Sequence, residues 1–319
     1  MEAGAADLMD EAGLAAFEEL RPRLTGLAYR MLGEVQEAED AVQDAYLRWS
    51  GTDRAAVEEP RAWLIKVVTN LCLNRLASAR ARRETYAGPW LPEPVPAGAG
   101  GLGARVLGPL ETVEQRDTVS LALLALMESL TPAERAVFVL REAFGYRHRD
   151  IAGVLDVTET ASRQLHRRAR QRVASAERRF APAGERWRRL VERFLDAAIR
   201  GDLAGLEAVL AEDVVAWSDG GGKVSAARNA VTGRARVARF FAGVARRAVD
   251  LPGASLEPSI EEINGVPALA VRVDGELTMI AVLEASGDRV TAVHAVLNPD
   301  KLAFAARALS RSGRLPGPS

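Results

Sequence analysis

The sequence predicts a multidomain chain: two all-α domains joined by a linker, then an α+β domain. Three observations lead there. Apolar residues recur at three- and four-residue spacing through 13–86 and again through 111–180, the period of an amphipathic helix. Between these stretches, residues 87–110 place Gly or Pro at roughly every second or third position, the composition of a linker. From about residue 213 to 297 short β-rich runs take over, punctuated by Asp-Gly and Asn-Gly pairs that suit tight turns.

At 319 residues the chain has room for two or three domains. A hydrophobic fraction of 48% with 27% charged residues is ordinary for a globular protein in water. The net charge of −1 means that any nucleic-acid surface must be local. Cys72 stands alone; it makes no intramolecular disulfide and no zinc site, and fits a reducing cytoplasm. His148, His166 and His294 lie far apart without metal-ligand spacing, and no cofactor is implied. A basic-then-apolar leader and an apolar run of about 18 residues are both missing, so a cytoplasmic protein without a membrane partner is expected.

The first helix, LAAFEELRPRLTGLAYRML, aligns Leu14, Phe17, Leu20, Leu24, Leu27 and Met31. The second, EVQEAEDAVQDAYLRW, aligns Val35, Ala38, Val42, Tyr46 and Trp49. The third, PRAWLIKVVTNLCLNRLASARARR, opens on Pro60, where proline is tolerated. The linker then contains GPWLPEPVP at 88–96. Pro89, Pro92, Pro94 and Pro96 exclude a helix or a central strand and predict an extended path. Trp90 and Leu91 are unusually apolar for such a segment and read as anchors for a groove. Helices resume with LTPAERAVFVL, where Thr131 caps, Pro132 sits at the first helical position and Glu134 lies in the first turn. HRDIAGVL, a turn at DVT, and ETASRQLHRRARQRVASAERRF follow. Residues 185–302 read as the α+β domain: two helices over 185–212, then strands VVAWS, ALAVRV, LTMIAVLEA and RVTAVHAVL, interrupted by the helix RARVARFFAGVARRA. Turns are predicted at Asp219-Gly220, Asn264-Gly265 and Asp274-Gly275, and a partly disordered tail over 303–319.

The weak net charge hides a polarity. Residues 34–44 carry Glu34, Glu37, Glu39, Asp40 and Asp44 without a Lys or Arg. Residues 60–86 carry a surplus of five positive charges, and residues 147–179 another surplus of five. Each basic helix alone reads as a solvated face; two of them, the second in a helix-turn-helix pattern, point to DNA touched at two places. In RHRDIAGVLDVTETASRQLHRRARQR, Ile151, Ala152 and Leu155 face inward. Arg163, Gln164, Arg167 and Arg170 fall on or near one face of the second helix, with side chains suited to base edges. Arg168 and Arg172 read as phosphate contacts. Asp156 stands where glycine is common in the turn, and aspartate tolerates that left-handed conformation. The acidic helix would be repelled by DNA and suits a basic protein surface.

These residues resemble a known family. EAEDAVQDAYLRW (37–49) is similar to region 2.2 of bacterial sigma factors of the extracytoplasmic-function group. PRAWLIKVVTNLCLNRLASARARR (60–83) resembles regions 2.3 and 2.4, and LTPAERAVFVLREAFGYRHRDIAGVLDVTETASRQLHRRARQR (130–172) resembles region 4. The resemblance implies two all-α DNA-binding domains and two partners, core RNA polymerase and promoter DNA. It implies polymerase binding through Asp40, Gln43 and Asp44, and −10 recognition through Trp63, Asn70, Asn74 and Arg75. The family often has Asp where Asn74 stands, and Trp63 reads equally well as a core tryptophan. It further implies −35 recognition through Arg163, Gln164, His166, Arg167 and Arg170. RFLDAAIRGDLAGLEAVLAEDVVAWSDGGGK and HAVLNPDKL resemble the SnoaL-like cone fold. A subgroup of these sigma factors carries such a C-terminal domain together with a WLPEP-type linker motif (90–94 here) and a DGGGK motif (219–223 here).

For the C-terminal domain the residues leave several readings open. Catalysis would need a general base and an oxyanion partner; Asp219 and His294 are candidates, yet all four tyrosines precede residue 147. DGGGK lacks phosphate-loop spacing and reads equally as a glycine-rich turn with Lys223 as a surface charge. The favoured reading is a regulatory docking domain acting through Trp90, Leu91 and Pro92 with Asp219, Gly220, Gly221, Gly222 and Lys223, in a protein that is monomeric when free. A small ligand of the SnoaL-like domain is the alternative; a DNA-binding repressor or an isomerase stands further back.

Overall fold

The computed structural model describes residues 2–53, 56–96, 106, 118–177, 185–249 and 253–311. They fall into two compact units, one of residues 1–82, 101–119 and 127–173, the other of residues 83–100, 120–126 and 174–319. The WLPEP stretch therefore belongs to the C-terminal unit.

The first unit is helical: α1 (Glu2–Leu32), α2 (Val35–Ser50) and α3 (Pro60–Glu84), with α5 (Pro132–Phe138), a π-helical turn (Val139–Ala143), α6 (His148–Leu155) and α7 (Glu159–Glu177). Helix α4 (Leu121–Met127) begins in the second unit's portion of the chain. The expected apolar stripes form the core. Phe17, Leu24, Leu27 and Met31 of α1 meet Val35, Ala38, Val42 and Trp49 of α2, all buried. Leu14, expected on the stripe, is instead 43% exposed, while its neighbour Gly13 is buried. The Trp49 indole donates to the Gly13 carbonyl oxygen at 2.9 Å, so its polar edge is satisfied where the ring is buried. Thr131, Pro132 and Glu134 form the predicted capping box of α5. Asp156 takes the left-handed conformation (φ 53, ψ 45) and ends α6.

The C-terminal unit contains α8 (Glu185–Ile199), α9 (Leu203–Val209), α10 (Arg234–Val249) and α11 (Pro299–Arg311) around a six-stranded sheet. The strands are β1 (Leu210–Asp219), β2 (Val231–Thr232), β3 (Leu256–Ile263), β4 (Val266–Val273), β5 (Glu276–Ser286) and β6 (Arg289–Val296), in the order β2-β1-β6-β5-β4-β3. Among these strands β1 and β6 run parallel; the other neighbours are antiparallel. Alternation along the strands gives the sheet two apolar faces. Ala281, Leu283, Val293 and Ala295 pack with Phe194, Leu206 and Phe241 of α8 to α10. Ile280, Val282 and Val296 pack with Leu302 and Ala305 of α11, with Leu91 of the linker and with Leu121.

Three elements differ from expectation, the first being the two-residue strand β2, too short to leave a sequence pattern. β3 is not visible in the sequence because LEPSIEEI carries Pro258 and three glutamates. Its place at the sheet edge explains why: an edge strand tolerates proline and charge. The expected tail from 303 is helical through Arg311, with Phe304, Ala305 and Ala308 buried at helical spacing, so α11 is a part of the domain.

Candidate functional site

In the helical unit, Asp40, Gln43 and Leu47 are exposed on one face of α2, and Asp44 is half-buried beside them. Leu47 is 59% exposed, the largest such value among the exposed large hydrophobic side chains described. It follows Asp40, Gln43 and Asp44 at helical spacing and gives that acidic face an apolar centre, a signal available in the sequence as a leucine outside the core stripe. Arg75 of α3, expected at the −10 element, reaches α2 instead: its guanidinium donates to Glu37 at 2.8 Å and to Asp44 at 2.7 Å. Burial opposes its charge, but these two carboxylates hold its pKa above the usual arginine value. Trp63 is half-buried, its ring 5.5 Å from that of Trp49, while Asn70 is half-buried and Asn74 exposed on the same helix. Trp63, Lys66, Tyr146, Asp150 and Val154 border a cleft of about 830 Å³ between α3 and α6. Across it Lys66 Nζ donates to Asp156 Oδ1 at 2.7 Å and to the Gly153 carbonyl at 3.0 Å. Side chains 39% and 75% exposed make this a surface pair, worth about 0–1 kcal/mol. The side chains of Arg80, Arg82 and Arg83 lie outside the described residues. Cys72 is fully buried, and burial pushes its thiol up to about 12, so it is inert.

On α7 the structure separates the expected contacts. Gln164, Arg167 and Arg170 are exposed, Arg163 is exposed while paired with Glu159 one turn earlier, and Gln171 joins them on that face. His166 is turned inward: its Nε2 lies 2.6 Å from Glu142 Oε1 and its ring 5.4 Å from that of His148. That hydrogen bond, with burial opposing it, holds Glu142 below the usual carboxylate range. Arg168 and Arg172 are not free for phosphate in this arrangement, because both pair with buried Glu134. Burial works against the Glu134 charge, yet hydrogen bonds from Thr131 and the two arginines keep its pKa low. His148 packs on this brace through Nδ1, 3.0 Å from buried Ser162 Oγ, and burial followed by repulsion from His166 lowers its pKa.

The C-terminal unit holds a different kind of site. Asp219, at the end of β1, is 0% exposed, which a glycine-rich surface turn would not require. Its Oδ2 accepts from the Leu91 backbone amide at 2.9 Å and from Lys301 Nζ at 2.7 Å. Its Oδ1 accepts from the Tyr86 hydroxyl at 2.6 Å and the Gly221 amide at 3.0 Å. Four donors saturate an ionised carboxylate. Lys301 of α11 also donates to the Leu91 carbonyl at 2.5 Å and lies 4.0 Å from the centre of the Trp90 ring, a cation–π contact. Leu91 itself is 2% exposed in the apolar cluster under α11. Further along, Asn264 and Val95 exchange two hydrogen bonds, Val95 N to Asn264 Oδ1 at 2.9 Å and Asn264 N to the Val95 carbonyl at 2.8 Å. Pro96 forms an isolated bridge with Ile263. The linker is thus held at both ends of its WLPEP stretch, by β1 and by the β3–β4 turn.

The glycines of DGGGK are explained by crowding. A Cβ on Gly221, where φ is +60°, would stand 2.3 Å from Asn298 Nδ2, and one on Gly220 would stand 2.6 Å from the Val224 carbonyl oxygen. Gly222 faces the linker, 3.1 Å from Ala87 Cβ for a built Cβ. Lys223 is exposed and pairs with Asp300 at 2.6 Å. Of the residues that complete the clamp, Asn298 and Lys301 lie in the HAVLNPDKL stretch and Asn264 in a predicted turn, while Tyr86 carries no sequence signal. The other candidate for chemistry, His294, is buried, with Nε2 2.5 Å from Glu284 Oε1 and its ring stacked on Trp217 at 4.9 Å. Among the described residues no group of three His, Cys, Asp or Glu side chains is arranged to hold a metal, and no helix is long and apolar enough to cross a membrane.

Comparison with known proteins gives these features a family. Residues 16–82 match Sigma-70 region 2, residues 120–173 match Sigma-70 region 4, and residues 191–297 match the SnoaL-like domain. A helical promoter-recognition pair followed by a SnoaL-like domain defines an RNA polymerase sigma factor with a C-terminal extension. The chain is 36% identical over 297 residues to the ECF RNA polymerase sigma factor SigJ of Mycobacterium tuberculosis, covering 90% of this chain and 92% of the relative. It is 31% identical over 294 residues to the probable ECF RNA polymerase sigma factor SigI of the same organism, covering 90% and 94%. The crystal structure of Mycobacterium tuberculosis SigJ superposes with a TM-score of 0.71 at 32% identity, over 91% of this chain and 98% of that one. The chain belongs to the extracytoplasmic-function RNA polymerase sigma factors.

Two measurements test the site as built. Asp219→Asn or Lys301→Met should each cost about 3–5 kcal/mol, because each leaves a buried charge or donor uncompensated. The double variant should cost less than their sum, as read by urea unfolding of the C-terminal unit. For the helix-turn-helix, a histidine whose pKa is depressed on folding favours the folded state above its ordinary value of about 6.5. That contribution is lost as the pH falls through the depressed folded value. Melting temperature should therefore fall between about pH 7 and pH 5, and the His148→Asn variant should show a shallower fall.

Proposed function

We propose that the SnoaL-like domain of this sigma factor sets its activity with core RNA polymerase and promoter DNA by holding the linker between regions 2 and 4. The observation that carries the proposal is the Asp219 carboxylate, whose hydrogen bond to the Leu91 amide and ion pair with Lys301 fix the linker on the domain that follows region 4. Releasing the clamp would free the linker, and with it the separation that regions 2 and 4 can adopt on a promoter. A tethered domain acts at an effective concentration on the order of millimolar, so it requires no high intrinsic affinity.

In this reading α2 meets core polymerase through Asp40, Gln43 and Leu47, with Asp44 aligned by Arg75. Trp63, Asn70 and Asn74 serve the −10 element, and Arg163, Gln164, Arg167 and Arg170 the −35 element. His166, Arg168 and Arg172 position α7. Arg75 acts first as a bracket for the polymerase-binding face, since its guanidinium is occupied by Glu37 and Asp44. No catalytic role is assigned to the C-terminal domain. Asp219 accepts four hydrogen bonds, and His294 is buried between Glu284 and Trp217. The protein acts in the cytoplasm, as a monomer until it meets polymerase. A small ligand of the cone would be a second input to the same joint.

Run-off transcription with core polymerase tests this. Trp90→Ala and Asp219→Asn should each change promoter-specific initiation by about 5-fold or more, the size of a coupling of 1 kcal/mol upward. Initiation equal to wild type in both variants would exclude control through the clamp.

A further inference from the structure

Helix α10 has a face that neither the fold nor the clamp uses. Its inner side, Val237, Ala238 and Phe241, is buried against the sheet. Its outer side carries Arg236, Arg239, Arg246 and Arg247, all exposed. At about 100° per residue these four fall within an arc of about 100°, opposite the buried side, and span about 16 Å of helix. The helix sequence, RARVARFFAGVARRAV, contains no acidic residue. Among the described residues no carboxylate pairs with any of the four. Neighbouring α8 is different: Glu185, Glu192 and Asp196 intersperse its arginines, Arg186 pairs with Asp288, and Asp196 pairs with Arg200 just beyond its end. The α10 face has no such interspersed carboxylates.

A second observation lies at the centre of the stripe. Gly243 occupies the helix interior, where glycine weakens a helix. A Cβ there would meet nothing within 4 Å, so no packing among the described residues calls for it. A side-chain-free centre flanked by arginines lets a rigid anionic surface come close to the helix backbone while guanidinium groups reach it from both sides.

We propose that this face of α10 is a DNA-binding surface additional to regions 2 and 4, and that it takes the backbone phosphates of duplex DNA. Arginine matches phosphate oxygens with two parallel hydrogen bonds. A span of about 16 Å at about 3.4 Å per nucleotide of one strand covers several phosphates. The connection at 178–184 ties the domain to α7, so a duplex bound by α7 is presented to α10 at an effective concentration on the order of millimolar. That last step rests on the assignment of α7 to the −35 element; the charge and the open centre do not.

The test is fluorescence anisotropy of the full chain on a labelled random-sequence duplex of about 30 base pairs, across a salt series. Arg236→Gln/Arg239→Gln and Arg246→Gln/Arg247→Gln should each lower the slope of log affinity against log salt by about 2, at about 0.9 for each phosphate left unneutralised. Gly243→Leu should weaken binding several-fold with little change in slope, and Arg239→Lys should keep the slope. Arg188→Gln/Arg189→Gln on α8 should leave both unchanged. The proposal is overturned if the α10 pairs match wild type, or if the α8 pair weakens binding as much as they do. It is also overturned if the α10 pairs keep duplex binding but weaken assembly with core polymerase, which would give the face to an acidic protein. Loss of binding in Arg163→Gln/Arg167→Gln alone would leave the α7 assignment standing and remove α10 from it.

Discussion

The Asp219 carboxylate accepts hydrogen bonds from a linker amide, from Tyr86 just before the linker, from its own turn and from a lysine of the last helix. Much of the C-terminal unit is arranged to make that possible. β1 must end at 219 so that the side chain points to the linker face of the sheet, beside Val296 of β6. Gly220 and Gly221 must lack side chains so that the chain can turn beneath Asn298. α11 must fold back across the sheet to deliver Lys301, and its apolar residues Leu302 and Ala305 do this by packing in the same cluster as Leu91. A buried ion pair of this kind adds little net stability, since desolvation offsets much of the attraction. An unpaired buried charge is costly, so Asp219 couples the Leu91 contact to the Lys301 pair.

The Lys66–Asp156 pair across the α3–α6 cleft is exposed and weak, and does not by itself hold regions 2 and 4 in place. The clamp combines a buried ion pair, a cation–π contact, burial of Leu91 and the Asn264–Val95 exchange. The two helical regions also meet through buried contacts: Arg135 Nε donates to the Arg30 carbonyl at 3.2 Å and Arg30 Nε to Thr118 Oγ1 at 2.9 Å. Within the helical unit, ion pairs serve a different end: Glu134 fixes Arg168 and Arg172, and Arg75 aligns Glu37 with Asp44, so that exposed faces are presented in one orientation.

Local signals make the helical half legible. The capping box at Thr131, the αL aspartate at 156 and the apolar stripes of α1 and α2 are short-range features, and periodicity reports them directly. The hairpins at Asn264-Gly265 and Asp274-Gly275 follow from the same reasoning, with positive φ at both residues of each pair. Asp219-Gly220 looks identical in sequence but is the centre of the clamp, because its partners come from residues 86, 91 and 301. No window around 219 contains them. The carboxylate partners of Arg75, His166, Arg168 and Arg172 escape the sequence for the same reason: Glu37, Asp44, Glu142 and Glu134 reach them only in three dimensions. The linker is readable as an anchor because Trp90 and Leu91 break the composition of a proline-rich segment, and the resemblance points it to the DGGGK turn; that Lys301 and Asn264 hold it as well is visible only in three dimensions.

Hydrogen exchange at the Leu91 and Val95 amides of the free, full-length protein tests the central claim most directly. If the linker is an integral part of the C-terminal unit, both amides exchange through the same opening as the amides of β5 and β6. Asp219→Asn should then lower the protection at Leu91 first. Exchange of the wild-type Leu91 amide at the rate of an unprotected extended chain would contradict the clamp.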